Sequence, residues 1–369
     1  MNEPVLNERE RAVLAAVIRT YVETAEPAGS RTVAKRHGLG VSAATIRNAM
    51  SDLEEKGYLY HPHTSAGRIP TDRAYRFFVD TLMRPVRISV AHQRRLRREL
   101  TDEDTAGALD RLVRRAAQAL GLLTGELGIA IGPTLDEVVL ERLELTRVSS
   151  EKVLLVLTLK NGIIRTVYVD LPMAVPVQTL TAVTMVMNER LAGQTLSEIR
   201  STLPERLRDA SSEDAASSEL LNIFMQSADD LLQPVQRSGN EVVLGRTSVI
   251  ANQPEFADGV RLKSLIELTE ERELLRKVLS SREHESVATT ITIGSEHGHP
   301  RLVPFTLVTS EYRIGNLNGV LGVIGPTRMP YAKVAAIVEY TSLLMGELSQ
   351  GVASRPAVAG EAKSTDEEA

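Results

Sequence analysis

The sequence predicts an α+β chain of more than one domain. Three observations predict it: short, apolar-striped helices around one hairpin before about residue 85, two later groups of β-branched strands, and a long helical stretch between those groups. Neither an all-helical nor an all-sheet architecture accommodates that alternation. At 369 residues the chain also exceeds one average domain.

The elements follow in order. In "NERERAVLAAVIRTYVET", Asn7 with Glu10 forms a capping box, and Leu14, Val17, Ile18, Tyr21 and Val22 share one helical face. "GSRTVAKRHG" offers Ser30 as a cap, buries Val33 and Ala34, and stops at Gly38. After the tight link "GLGV", Ser42 caps "AATIRNAMSDLEEKG", whose Ile46, Ala49, Met50 and Leu53 face inward and whose Gly57 ends the helix. Ala44, Arg47, Asn48 and Ser51 then form the opposite stripe. A short helix, a brief turn and a longer helix with an outward face have the layout of a helix-turn-helix. Arg pairs bidentately with guanine and Asn with adenine in the major groove, and small Ala and Ser let the backbone approach. An ordinary solvated face is the competing reading of the stripe alone.

"YLYHPHTSAGRIP" follows directly as a hairpin: a brief strand, Pro62 limiting its pairing, a turn through Ser65-Ala66-Gly67, and a returning strand. It reads as a wing beside the recognition helix, with Arg68 reaching a minor groove or a phosphate. His61 and His63 share a strand face, but no cysteine or nearby carboxylate completes a tetrahedral metal set. Ser65-Ala66-Gly67-Arg68 lacks the Lys-Ser/Thr and the strand-loop-helix order of a phosphate cradle. "TDRAYRFFVDTLM" is the next helix, with Tyr75, Phe78 and Leu82 on one face, ending at Pro85. Six of the chain's thirteen aromatics fall in the first 78 residues, where bulky rings fill a core that short length leaves thin.

Residues 86 to 127 read as a helical connector with a basic face at Arg94, Arg95, Arg97 and Arg98, open equally to DNA phosphates or to solvent. From Gly128, "VVLERLELTR", "KVLLVLTLKNG" and "IIRTVYVDL" are strands, with Lys160-Asn161-Gly162 as a hairpin turn. A helical stretch from about 177 to 281 is broken by the acidic linker "DASSEDAASSE". Strands return in "ATTITIG", "LVPFTLVTSEYRIG" and "NGVLGVIGP", before the helix "YAKVAAIVEYTSLLMGELSQ". Since strands need partners, the economical expectation joins both strand groups (128 to 176 and 282 to 350) into one sheet, with 177 to 281 as an insertion. The tail from 351 to 369 lacks apolar periodicity and is expected to be disordered.

Charge points to a partner. Net charge is -5, yet residues 28 to 98 hold fourteen Lys/Arg against five Asp/Glu, an imbalance that points toward a polyanion partner, with an ordinary solvated face as the competing reading on charge alone. The absence of cysteine removes disulfides, thiolate zinc sites and cysteine nucleophiles. No apolar run spans a membrane and no secretory signal opens the chain, so a cytoplasmic location is expected. His297-Gly298-His299 with Glu296 is the best local hint of an enzyme, but no nucleophile-elbow, Walker or zinc-protease pattern accompanies it. "GNLNGVLGVIGP" could line a small-effector pocket, although glycines here more often mark tight strand turns.

The stretch from "ERERAVLAAVIRTYVET" through "SAATIRNAMSDLEEKGYL" and "PHTSAGRIPTDRAYRFFVD" resembles the N-terminus of bacterial heat-inducible transcription repressors of the HrcA family. The similarity continues through "LVLTLKNG", "LAGQTL", "NQPEF" and "NGVLGVIGPTRMPY", covering most of the chain, with the linker at 209 to 219 and the acidic tail fitting less well. The resemblance implies a winged helix over residues 1 to 85, then a GAF-like domain carrying an inserted dimerisation domain. It implies a homodimer on an inverted-repeat operator, CIRCE, upstream of chaperone operons, with the chaperonin modulating activity, repression falling on heat stress, and no cofactor. Carried over by position, the DNA-reading surface comprises Ser42, Thr45, Arg47 and Asn48 in the helix, and His63, Thr64, Ser65, Gly67 and Arg68 in the wing.

Overall fold

The computed structural model describes residues 5–62, 67–101, 109–133, 135, 138–160, 163–172, 174–208, 215–226, 242–280, 289–315 and 317–353. Helix α1 (Glu8–Thr24) starts on the expected capping box, Asn7 and Glu10 each accepting the other's backbone N–H at 2.9 Å. Helix α2 (Ser30–His37) begins one residue earlier than its sequence suggests: Gly29 is the N-cap and Ser30 is already helical. Helix α3 (Ala43–Glu55) is capped by Ser42, whose Oγ accepts the Thr45 N–H at 3.1 Å. Just beyond its end, Gly57 takes the left-handed φ of 77° that lets the chain reverse into a strand.

Strands β1 (Leu59–Tyr60) and β2 (Ile69–Pro70) pair antiparallel, Leu59 with Pro70 and Tyr60 with Ile69. Helix α4 (Asp72–Phe77), capped by Thr71, runs on as a π turn over Phe78–Leu82. Val17, Ile18, Val33, Ile46, Leu53, Tyr58 and Tyr75 are buried and fill the space between these elements. Lys56 closes the bundle by pairing with buried Glu10 at 2.6 Å. Burial pushes the Glu10 carboxyl upward, but Lys56 and the Asn7 N–H outweigh it and hold the group below the ordinary carboxylate range.

Helices α5 (Val90–Thr101) and α6 (Leu109–Thr124) lead into strand β3 (Leu127–Ile131). Here the structure corrects the expected sheet. Strands β4 (Leu140–Arg147), β5 (Lys152–Leu159) and β6 (Ile163–Asp170) form a three-stranded antiparallel sheet of their own. Helices α7 (Val177–Leu191), α8 (Leu196–Leu207) and α9 (Ala215–Gln226) accompany it, so residues 215 to 219 of the presumed linker are helical. The Asn188 side chain on α7 accepts the Leu143 N–H at 2.8 Å and donates to the Leu143 carbonyl at 2.7 Å, pinning helix to strand.

The second sheet draws its strands from distant parts of the chain, in the order β7 (Val243–Leu244), β3, β10 (Leu317–Pro326), β9 (Phe305–Ile314) and β8 (Thr290–Ile293), all antiparallel. Leu127, Ile129, Phe305, Leu307, Val320 and Ile324 pack one face against α10 (Thr247–Ala251), α11 (Gly259–Glu270) and α12 (Arg272–Ser280). Helix α6 packs on the other face, and α13 (Tyr331–Ala353) joins it there, Ser310 donating to Ser342 at 3.1 Å. Contacts divide the chain into two compact units, one of residues up to 103, 109–134 and 236–345, the other centred on 135–235. The two units therefore divide near 135 and 235, not at the expected 177 and 281: β4 to β6 group with α7 to α9, while α10 to α12 group with the five-stranded sheet.

Three glycines of "GNLNGVLGVIGP", Gly319, Gly322 and Gly325, face filled space. A Cβ on Gly319 would lie 2.5 Å from the Tyr312 ring, one on Gly322 2.2 Å from the Val308 carbonyl oxygen, and one on Gly325 2.2 Å from a Glu126 carboxylate oxygen. They are close-packing positions in a central strand, not the lining of an open pocket.

Candidate nucleic-acid interface

Helix α3 presents the face its spacing predicts. Ala44, Arg47 and Asn48 are exposed while Ile46, Ala49, Met50 and Leu53 are buried behind them. Ser42 and Thr45 also order the first turn of the helix, since their hydroxyls hydrogen-bond each other at 2.9 Å and Ser42 is the cap.

The returning arm of the hairpin is stitched to the segment before α2. Ala28 and Arg68 exchange backbone hydrogen bonds at 2.8 and 3.0 Å. Gly67 makes this approach possible, since a Cβ there would sit 2.5 Å from the Ala28 carbonyl carbon and oxygen. The Arg68 side chain turns inward, its guanidinium 2.7 Å from the Glu54 carboxylate on α3, with His61 at 4.0 Å from the same group. Arg47, Gly67 and Arg68 thereby meet at a cleft of about 150 Å³, completed by Ala28, Gly29, Ser30 and Met50. His63, Thr64 and Ser65 lie outside the described residues.

Two features of this cleft are invisible to sequence spacing. Gly29 and Ser30 bring the start of α2 to the same place, and that start has no side-chain cap on its first N–H groups. A serine at this point looks like a cap, which conceals the open helix end. Glu54 carries no signal because an acid on a helix surface is ordinary, and its pairing with Arg68 depends on the hairpin folding back. Among the described residues, no group of three or more His, Asp or Glu side chains is placed to hold a metal ion. Glu296, the carboxylate of the suspected enzymatic turn, is engaged by Arg76 and by the Ile293 N–H.

The family model for the HrcA protein C-terminal domain matches residues 110–335. The chain belongs to the HrcA family. An HrcA relative from Chlorobium phaeobacteroides (strain BS1), named heat-inducible transcription repressor HrcA, is 37% identical over 343 residues, 91% of this chain and 96% of the relative. The HrcA protein of the same name from Pelotomaculum thermopropionicum is 34% identical over 348 residues, 94% of this chain and 98% of that one. A crystal structure described as that of a hypothetical protein, at 2.2 Å resolution, shares the fold with a TM-score of 0.70 and 23% identity, covering 94% of this chain and 100% of the other. The HrcA relatives thus cover both the helical N-terminus and the sheets, and no described helix is long and apolar enough to cross a membrane.

Proposed function

We propose that this chain is a cytoplasmic repressor of heat-shock chaperone operons that binds the CIRCE inverted repeat as a homodimer and loses its hold on heat stress, with the chaperonin modulating activity. In this reading the N-terminal helices and hairpin are a winged helix, the five-stranded sheet with its helices is a GAF-like domain, and residues near 135 to 235 are the dimerisation domain. The observation that carries it is the exposed Arg47 and Asn48 face of α3 beside the Gly67–Arg68 arm, in a chain whose relatives are named transcription repressors. Ser42, Thr45, His63, Thr64 and Ser65 complete the proposed DNA surface. One short helix reads few base pairs, so a second copy about one helical turn or a multiple away is needed for specificity.

Gel shifts on the inverted repeat and on scrambled duplex, across salt concentrations and with sedimentation of the complex, test this. Two protomers on the repeat and a clear preference over scrambled DNA are expected; equal affinity for both duplexes would overturn it. Repeating the titration across temperature, with and without chaperonin, tests the regulatory part.

The Arg68–Glu54 pair leads to a separate expectation. Glu54 competes with phosphates for Arg68, so Glu54→Gln should tighten binding to operator and scrambled DNA alike, by roughly 2- to 5-fold at low salt, with a steeper salt dependence. An unchanged salt slope would show that Arg68 does not meet the backbone.

A further inference from the structure

The N-terminal bundle is bolted to the five-stranded-sheet region at two separate places. On α4, Arg76 forks onto Glu296, Nε to Oε1 at 2.7 Å and Nη2 to Oε2 at 2.5 Å, and Nη2 also donates to the Ile291 carbonyl at 2.5 Å. Glu296 is itself held in its turn by accepting the Ile293 N–H at 2.8 Å. One helical turn earlier, Asp72 accepts the Ser295 N–H at 3.3 Å, an approach that requires glycine at 294, where a Cβ would lie 1.9 Å from Oδ2 and φ is +56°. The Tyr75 and Tyr331 rings pack between these contacts, centroids 5.6 Å apart. The second place is behind α1: Arg328 forms a two-pronged pair with Glu255, both side chains largely buried, and donates to the Val22 carbonyl at 2.7 Å.

A single attachment would let the bundle pivot, whereas two on different helices oppose rotation. Forked Arg–carboxylate pairs add directional as well as energetic constraint: Arg76–Glu296 spans bundle and sheet region, whereas Arg328–Glu255 lies within the sheet region and aims the Arg328 guanidinium at the Val22 carbonyl. The protein therefore does not present its α3 face on a loose tether. An inverted repeat is read by two such faces at one separation and one phase of the duplex, because about 10 base pairs make a turn and an error of half that number puts the second half-site on the opposite side.

We propose that Arg76–Glu296 and Arg328–Glu255 are positioning residues for operator recognition: they set the bearing of α3 and so the half-site spacing that the dimer accepts. This rests on the dimeric DNA-binding reading above. The test uses the full-length chain and its variants Arg76→Gln and Glu255→Gln, alone and combined, on repeats whose spacer is lengthened by one to five base pairs, and on duplex carrying a single half-site. Wild type is expected to lose at least about 10-fold in affinity at five added base pairs. The combined variant should lose affinity at the native spacing yet vary by no more than about 2-fold across the series, with single-half-site binding within about 2-fold of wild type. Arg76→Lys, which keeps the charge, should recover part of the steepness. A combined variant whose spacing profile parallels wild type rejects the proposal, and so does one that loses single-half-site binding, since the pairs would then serve the bundle's own fold. A wild type with no operator preference would strike the DNA-binding reading instead.

Discussion

Arg47→Ala is expected to lower the ratio of operator to scrambled-DNA affinity by about 1 to 3 kcal/mol per half-site, the value of one bidentate arginine contact to a base edge. On the proposed reading, in which two protomers share one repeat, the loss compounds, making this the largest functional effect foreseen. The guanidinium is exposed on α3 and its neighbours Ile46, Ala49 and Met50 carry the packing, so the helix should survive the change. Alanine is also the better helix former. Competition gel shifts at one fixed salt concentration read the ratio directly. Equal losses on both duplexes would reassign Arg47 to the phosphate backbone.

Glu126→Gln should change how stability depends on pH. Glu126 lies between α6 and β3, 2% exposed, where its carboxylate accepts from Gln253 Nε2 at 2.9 Å. Burial lifts its pKa to about 8 against an ordinary 4.5; the Gln253 hydrogen bond and the Arg328 charge pull it back, and Glu255 adds to the rise. Between those two values the folded chain keeps a proton that the unfolded chain has released. Folding stability from this group is therefore complete below about 4.5 and declines as pH rises toward 8, by at most about 1.4 kcal/mol per pH unit. Glutamine reproduces the neutral acid's shape and acceptor without the proton. The variant should gain on wild type steadily from pH 5 to pH 8 in urea-unfolding midpoints. Parallel curves for the two proteins would show that Glu126 is ionised or relieved by water in the fold.

Neither Glu126 nor Arg76 announces itself in the sequence. Glu126 follows a glycine at a helix end, a place where acids are usually solvated, and its burial is created by Gly325 and Gln253, which arrive from far along the chain. Arg76 sits among the basic residues that suggest a polyanion partner, yet its guanidinium is spent on Glu296, 220 positions away. Strand β3 escapes a reading by pattern because Gly128 and Ala130 dilute its apolar signal. Those small residues are what α6 requires, since a Cβ at Gly128 would lie 1.8 Å from the Ala117 carbonyl oxygen. Two-residue β7 is too short to leave a pattern and exists through its pairing with β3.

What the amino acids reveal when read alone is local and chemically specific. The Asn7–Glu10 box, the Ser42 cap, the Gly57 reversal and the polar stripe of Ala44, Arg47 and Asn48 each depend on residues within a few positions of one another, so spacing suffices. Tertiary structure alone decided which strands share a sheet, where the two compact units divide, and that Arg68 faces Glu54. The reason is that β-branched composition marks a strand without naming its partner, and charge marks an arginine without naming its acid. Both choices are made by side chains and backbone edges that meet only after long loops have closed.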